Sequence, residues 1–339
     1  MGDVLRVIYF GRVTPLRSQT LWHAAAYGVS GGAPPTLSFA RPSDPYVCLG
    51  YHRALDEVDQ EYCRREGLPV YRRMVGGGPV YLDDGQLFFQ ICLPARAVPP
   101  VRAEALRLLL QPAAAAFRAV GIPAELDNDL EICLSDRKIC GHGAGQIEDA
   151  VVVCGNLIER FDHQRAARVL ALPPALRSET HRMMRRYVAA TPADPDEFRA
   201  AMVSSYASAL GLTAAPAELT AAENASLAGL DARFRDEQWL AGPERPLVRT
   251  APQVRQVKVR AGVWTAGVTS GPAQIVVSVV RGSVERAWLR AAGLNGMSQA
   301  AESALAGVPV EAVTDVLARF GDPGRQLAAA FAAADWKRL

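Results

Sequence analysis

The chain has 339 residues, 50% of them hydrophobic and 21% charged, with a net charge of +2 and a pI of about 8.2. That size and apolar content suit one large globular domain plus a smaller one, or two domains. The balance is close to neutral and no basic run reaches five residues, which gives no footing to nucleic-acid or membrane-surface binding; no run of 18 apolar residues is available to span a bilayer.

The N-terminus carries Asp3 and too short an apolar run for a signal peptide. Arg6 stands where a myristoylation motif wants serine or threonine. Cys48, Cys63, Cys92, Cys133, Cys140 and Cys154 show no CxxC spacing, and several lie in apolar segments. They read as buried thiols in a reducing compartment, so the expected location is cytoplasmic. The histidines form neither HxxxH nor HxH pairs, which disfavours a histidine-rich metal site.

In chain order, Leu5 to Phe10 reads as a strand, and Ser18 caps a helix that Gly28 ends after Tyr27. Thr36 to Ala40 and Tyr46 to Leu49 are short strands either side of a Pro42–Pro45 turn, and Asp56 to Glu66 is a charged helix closed by Gly67. An extended segment then enters Gly76, Gly77 and Gly78 and leaves through Pro79 to Leu82, the polar turn Asp83–Gln86 and the strand Leu87–Leu93. Glycine lets backbone approach a ligand closely and aim N–H groups at it, and Arg72 and Arg73 add positive charge just before the loop. A hairpin turn does not need three glycines in a row, so an anion-holding loop is preferred over a simple connection. The pattern is neither GxGxxG nor GxxxxGK[ST].

Val101 to Val120 is a long helix ended by Gly121. Leu130–Leu134 and Arg137–Cys140 then form a hairpin, Gly141 to Gly145 a second glycine-rich turn, and Ala150–Ile158 an apolar strand. Lys138 stands in this otherwise apolar hairpin, where an unpartnered ammonium is costly; a functional lysine and one that snorkels to the surface are both open. His142 reads as a loop residue or a catalyst, and Cys140 and Cys154 as small buried hydrophobes or nucleophiles. Helices follow at His163–Leu170, Pro174–Ala189 and Pro195–Leu210. Arg182, Arg185 and Arg186 suggest a solvated helix face or one that meets an acidic partner. The segment Leu212 to Glu223 turns Ala/Pro/Thr-rich, and a domain boundary is expected near Ala251-Pro252. Strands at Val254–Val259, Val263–Thr269 and Ala273–Val280, then Ser283–Leu289 and helices at Met297–Leu305, Pro309–Phe320 and from Arg325, read as a small α+β module.

Three features together resemble the lipoate–protein ligase A family of the biotin/lipoate ligase superfamily. Arg72-Arg73-Met74-Val75-Gly76-Gly77-Gly78-Pro79-Val80-Tyr81-Leu82-Asp83 is similar to its RRxxGGGxVxHD motif. Asn128-Asp129 with Arg137-Lys138-Ile139-Cys140-Gly141 resembles its ND…GRKxxG element, and Gly155-Asn156-Leu157-Ile158 stands where the family has HGTLL. The GRGRxxR-type loop of biotin ligases is absent.

The resemblance implies an α+β protein: a large catalytic domain of mixed and antiparallel sheets flanked by helices, over residues 1–250, and a small α+β accessory domain over 251–339. The superfamily's octanoyltransferases generally lack that second domain, so its presence implies an ATP-dependent ligase that makes lipoyl-AMP and transfers the lipoyl group to a lysine. Lys138 would be the active-site lysine. Substrate and adenylate would be bound by Arg73, Val75, Gly76, Gly77, Gly78, Pro79, Asp83, Gln86, Asn128, Asp129, Gly141, His142 and Gly155. Leu49, Gly50 and His52 would line the lipoyl tunnel. ATP with Mg2+, for which Asp129 is the candidate side chain, and lipoate or octanoate are the expected cosubstrates. The expected partner is a lipoyl carrier: a dehydrogenase E2 lipoyl domain, a glycine-cleavage H protein or a dedicated lipoate-binding protein. Two departures stand out, Leu82 and Cys154, each where the family has histidine. They keep open a transferase using a Cys154 or Cys140 thioester, and a non-catalytic lipoyl-binding homologue.

Overall fold

The computed structural model describes residues 4–242, 253–294 and 296–333. It divides into two compact units, Met1–Asp162 with Ala189–Glu244, and His163–Val188 with Arg245–Leu339. The boundary expected near Ala251-Pro252 lies outside the described residues. Residues 163–188, expected in the first domain, group with the second unit.

The first unit runs β1 (Val4–Val13), α1 (Arg17–Ser30), β2 (Thr36–Pro42), β3 (Tyr46–Leu49), α2 (Gln60–Arg65), β4 (Val70–Arg72), β5 (Val80–Leu82), β6 (Gln86–Pro94) and α3 (Arg102–Ala119). It continues with β7 (Glu125–Leu126), β8 (Ile132–Leu134), β9 (Arg137–Lys138), β10 (His142–Ile147) and β11 (Ala150–Ile158). After α4 (His163–Arg168) and α5 (Pro174–Tyr187), the chain returns with α6 (Pro195–Leu210), β12 (Thr213–Pro216), α7 (Ala221–Arg235) and α8 (Glu237–Ala241).

A six-stranded mixed sheet, ordered β10-β11-β6-β2-β1-β12, forms the centre. Its middle strand β6 is buried along its whole length, which is why apolar residues there fill both faces and do not alternate with polar ones; the interior exception, Gln90, accepts a bond from the Ser38 hydroxyl at 2.9 Å. One face packs Phe89, Ile91 and Leu93 against Leu110 and Phe117 of α3 and Phe198 and Met202 of α6. The other face sets Cys92 and Val152 against Trp22 and Ala26 of α1. Two three-stranded sheets, β4-β3-β5 and β7-β8-β9, carry the first two sequence motifs.

Local chemistry sets most of the ends. Asp194 caps α6 by accepting from the N–H groups of Asp196 and Glu197, and Gly211 closes it at φ +63°. Gly28 does not end α1, which runs on to Ser30. It is glycine because a Cβ there would stand 1.8 Å from the Glu223 carboxylate. That carboxylate is held by both terminal nitrogens of the buried Arg6, at 3.1 and 2.6 Å, while Glu223 and Thr220 form the capping box that starts α7.

The segment Gly141 to Gly145 is not a turn. It opens β10, antiparallel to β11, and the chain reverses instead between Ile147 and Ala150, with Glu148 at φ +48°. The glycines serve close approach: a Cβ at Gly143 would meet the Gly76 carbonyl at 2.8 Å, and one at Gly145 would meet Val75 at 3.1 Å. The Ala/Pro/Thr-rich stretch after Leu212 likewise supplies β12, parallel to β1, before α7 begins.

In the second unit, β13 (Gln253–Arg260), β14 (Val263–Ser270), β15 (Ala273–Val280) and β16 (Ser283–Arg290) form an antiparallel meander. It is followed by α9 (Ser298–Leu305), α10 (Val313–Ala318) and α11 (Gly321–Ala332). One sheet face buries Ile275, Val277 and Leu289 against Leu305, Leu317 and Phe331. The opposite face takes α5: the Thr180 and Thr265 hydroxyls lie 2.7 Å apart, and Leu176 packs over Gly267. The arginines of α5 are not merely a solvated face. Arg182 pairs with Glu179 at 2.6 Å and Glu285 at 3.0 Å, and Arg186 pairs with Glu285.

His23 of α1 is fully enclosed. Its Nδ1 lies 2.7 Å from the Gln19 carbonyl and its ring centroid 3.5 Å from that of Trp22. Burial first, and then the charges of Arg73 and Arg233, lower its pKa from 6.5 to about 3, against the raising effect of the Gln19 bond.

Two outcomes follow from these buried groups. Glu223→Ala strands the Arg6 guanidinium and is expected to lower the unfolding free energy by about 3–5 kcal/mol in urea titrations. Because the folded state favours neutral His23, its contribution is complete above pH 6.5 and is lost as the pH falls toward about 3. The urea midpoint of the wild type should therefore fall more steeply between those pH values than that of His23→Gln.

Candidate active site

The triple-glycine loop follows β4 and is tied down from two directions. The Arg73 N–H bonds the Leu49 carbonyl at 2.9 Å, the Tyr51 N–H bonds the Val75 carbonyl at 2.9 Å, and the Gly76 N–H bonds the Ala144 carbonyl at 3.0 Å. The loop is thus tied to the β3 exit on one side and to β10 on the other. Gly50 packs directly on it: a Cβ at Gly50 would stand 2.0 Å from the Gly77 carbonyl oxygen. Gly77 has φ +109°, and a Cβ there would stand 2.4 Å from the Arg73 guanidinium. Gly77 and Gly78 remain exposed.

The two motif arginines are not free charges beside the loop. Arg73 is 6% exposed and turns inward, donating to the carbonyls of Gly76 at 2.9 Å, Gly78 at 3.1 Å and Cys48 at 3.0 Å. Arg72 is 1% exposed. It donates to the carbonyls of Gly50, Tyr51 and Arg53 at 3.2, 2.9 and 2.6 Å and to those of Trp239, Leu240 and Ala241 at 3.1, 2.8 and 3.1 Å. A buried guanidinium needs acceptors for its five N–H groups, and here the backbone supplies them. Three of those carbonyls come from α8, which favours a cation at its C-terminal end. The Trp239 indole N–H returns a bond to the Arg72 carbonyl at 2.9 Å.

The second motif lies on the β7-β8-β9 sheet. The Asp127 carboxylate accepts from the N–H groups of Asp129 at 3.0 Å and Glu131 at 2.8 Å. This tight turn puts Leu130 at φ +62° and leaves Asn128 and Asp129 exposed. Lys138 is half-buried, its Nζ 3.1 Å from the Glu131 carboxylate, which is itself 5% exposed. The cost of placing an ammonium in an apolar hairpin is met by this ion pair, so Lys138 is neither idle nor trailing in solvent.

One polar chain joins the motifs. The Gly141 N–H, three residues past Lys138, bonds the Asn156 side-chain oxygen at 2.7 Å. Asn156 donates to the Gln86 side-chain oxygen at 2.7 Å, and Gln86 donates to the Tyr81 carbonyl and the Asp83 carboxylate, each at 3.4 Å. Burial raises the Asp83 pKa. Asn156, the joint of this chain, was visible in the sequence only as part of the third motif.

The remaining expected residues divide. Val75 is buried against β10, Pro79 and His142 are half-buried, and Leu49 and Gly50 lie under the loop. His52 stands exposed instead, edge-on to Tyr51 at 4.8 Å. Gly155 is required by packing, since a Cβ there would come within 2.4 Å of the Phe89 ring. Leu82 joins the cluster of Tyr46, Cys48, Phe88 and Tyr71, so the first motif departure is absorbed as apolar packing.

Cys154 is half-buried and directs its sulfur to the Gly143 carbonyl at 3.4 Å. Its thiol is raised by burial, with Arg73 opposing. Cys140 lies in the main core, and burial pushes it up to about 12. Neither is a poised thiolate at neutral pH. Among the described residues, no group of three or more His, Cys, Asp or Glu side chains is arranged to hold a metal ion, and no helix is long and apolar enough to cross a membrane.

Comparison with known proteins bears on the family and the fold. Residues 17–205 match the family described as lipoyl protein ligase A/B catalytic domain. An octanoyltransferase LipM of Symbiobacterium thermophilum is 26% identical over 249 residues, 64% of this chain and 89% of that protein. In fold, the chain is similar to the bipartite lipoate protein ligase of Thermoplasma acidophilum, whose structure was solved as part of a lipoylation system with its E2 lipoyl domain. The TM-score is 0.64 at 23% identity, over 72% of this chain and 98% of that one. A lipoate-protein ligase A bound with ATP gives 0.60 at 23% identity, over 71% and 99%. With the family match spanning more than half of its length, the chain belongs to the lipoyl protein ligase A/B catalytic domain family.

Proposed function

We propose that the chain is an ATP-dependent lipoate–protein ligase. It would join the carboxylate of lipoate or octanoate to AMP and pass the acyl group to a lysine of a lipoyl carrier protein. The observation that carries this reading is Lys138, half-buried on the Glu131 carboxylate, at the position of the family's active-site lysine. It stands on the strand that leads through Gly141 into the bonds joining the three motifs.

In the first half-reaction a carboxylate oxygen attacks the α-phosphorus of ATP and pyrophosphate leaves with the bonding pair. In the second, the carrier amine attacks the acyl carbon, AMP leaves, and the amine gives up a proton as the amide forms. Negative charge develops on phosphate oxygens first and on the acyl oxygen later. By tying the Gly76 and Gly78 carbonyls inward, Arg73 reserves the exposed Gly77–Gly78 edge of the loop for N–H contacts to phosphate. Lys138 supplies a fixed cation for the acyl or phosphate oxygen. Mg2+ bound with ATP would neutralise the phosphates. Asp129 fits as a single exposed carboxylate ligand, since Asp127 is spent on its own turn, and Mg2+ is ordinarily held largely by phosphates and water.

A second reading, acyl transfer through a cysteine thioester, is favoured by the similarity to an octanoyltransferase and by the half-buried Cys154. The raised thiols of Cys154 and Cys140 weigh against it, because the thiolate is the nucleophile.

Lipoate, ATP and an apo lipoyl domain should together release pyrophosphate and give the lipoylated domain by intact mass. Lys138→Ala is expected to slow both readouts by about 100-fold or more, whereas Cys154→Ser should stay within a few-fold of wild type. Acyl transfer from a carrier thioester without ATP, lost in Cys154→Ser, would replace the ligase reading with the transferase.

A further inference from the structure

The triple-glycine loop springs from Met74, and the Met74 N–H is bonded by a side chain from a different element, His23 Nε2 of α1, at 3.1 Å. A backbone N–H can only donate, so Nε2 is the acceptor and the ring proton lies on Nδ1, 2.7 Å from the Gln19 carbonyl. Both ring nitrogens are therefore committed, in one tautomer and without charge. The ring is 0% exposed, stacked on Trp22 at 3.5 Å and met edge-on by Phe234 at 4.8 Å. These contacts leave it no second rotamer without loss of packing.

Past Met74 the described bonds of the loop are to backbone groups of Tyr51 and Ala144 and to Arg73. The His23 bond alone fixes the plane of the peptide that enters the bend, among the bonds described. A packing residue needs no such polarity, and a phenyl ring would fill the same space.

We infer that His23 is a positioning residue for nucleotide use: its Nε2 holds the Met74 amide and so sets the angle at which the glycine loop faces the phosphates. The inference rests on the ligase reading above. His23 reaches neither substrate nor the reacting atoms, so it acts only through the loop.

Two side-chain amides separate this role from packing. The Asn side chain places its polar group where Nδ1 stands, and Gln places it where Nε2 stands. His23→Asn thus keeps the Gln19 contact and drops Met74, whereas His23→Gln keeps an acceptor for Met74. Both variants, made in the full chain, should lower the melting temperature to a similar extent. His23→Gln should hold the KM for ATP within about threefold of wild type, and His23→Asn should raise it roughly tenfold. Hydrogen exchange of the 72–79 peptide should quicken in His23→Asn alone. Equal shifts of the KM for ATP in the two variants, or equal exchange of that peptide, overturns the inference. A wild type that consumes no ATP sinks the ligase reading instead, and the exchange comparison still decides whether His23 sets the loop.

Discussion

A guanidinium turned inward is the constraint on which the site depends. Arg73 donates to the Gly76 and Gly78 carbonyls of the loop it precedes and to the Cys48 carbonyl of β3, so a bend of three glycines, the least self-ordering residues in the chain, is held without any side chain of its own. Removing a cation from water is costly unless its donors are met. That requirement works in reverse here: the buried charge recruits the carbonyls and thereby decides which way the peptides of the loop face. Arg72, the next residue back, applies the same chemistry to a different set of carbonyls, from Gly50 to Arg53 and from α8.

The glycines then form facing contacts. Gly50 opposes Gly77, Gly143 opposes Gly76, and Gly145 opposes Val75. At the first two contacts backbone meets backbone, with separations that a methyl group would not permit, and at the third Gly145 lies tight against the Cα and side chain of Val75. Three distant stretches of chain are brought together in this way, and the Gly141–Asn156–Gln86 bonds continue the joint with side chains. The two motif departures sit differently in this frame. Leu82 is accommodated by an aromatic cluster, whereas Cys154 puts a small polarisable atom beside Gly143 and the charge of Arg73.

Much of this was legible in the chain because it depends on local signals. Four strands of the central sheet (β1, β2, β6 and β11), the extent of α6 and the order of the motifs follow from periodicity, turn chemistry and spacing. What was not legible depends on a partner far away in sequence. Gly28 looks like a helix stop, yet it makes room for Glu223 nearly two hundred residues on. Gly141 to Gly145 looks like a turn until the loop that lies on that strand is known. Arg72 and Arg73 look like exposed charge because the carbonyls that bury them belong to backbone, which carries no sequence signal. His23 gave no hint for the same reason, since its partners are a peptide N–H and a carbonyl. Helix α7 was hidden by an Ala/Pro/Thr-rich approach whose Thr220 and Glu223 form a capping box.

The grouping of α4 and α5 with the second unit bears on how the protein is modular. The polypeptide passes from one unit to the other and back before its final crossing, so the smaller unit is not an appendage that ends a finished enzyme. Cutting the chain after Glu244 would leave α5 behind with Leu176, buried at 0% exposure, stripped of the sheet it covers. Gain or loss of this module in evolution therefore calls for two coordinated edits, an internal one and a terminal one.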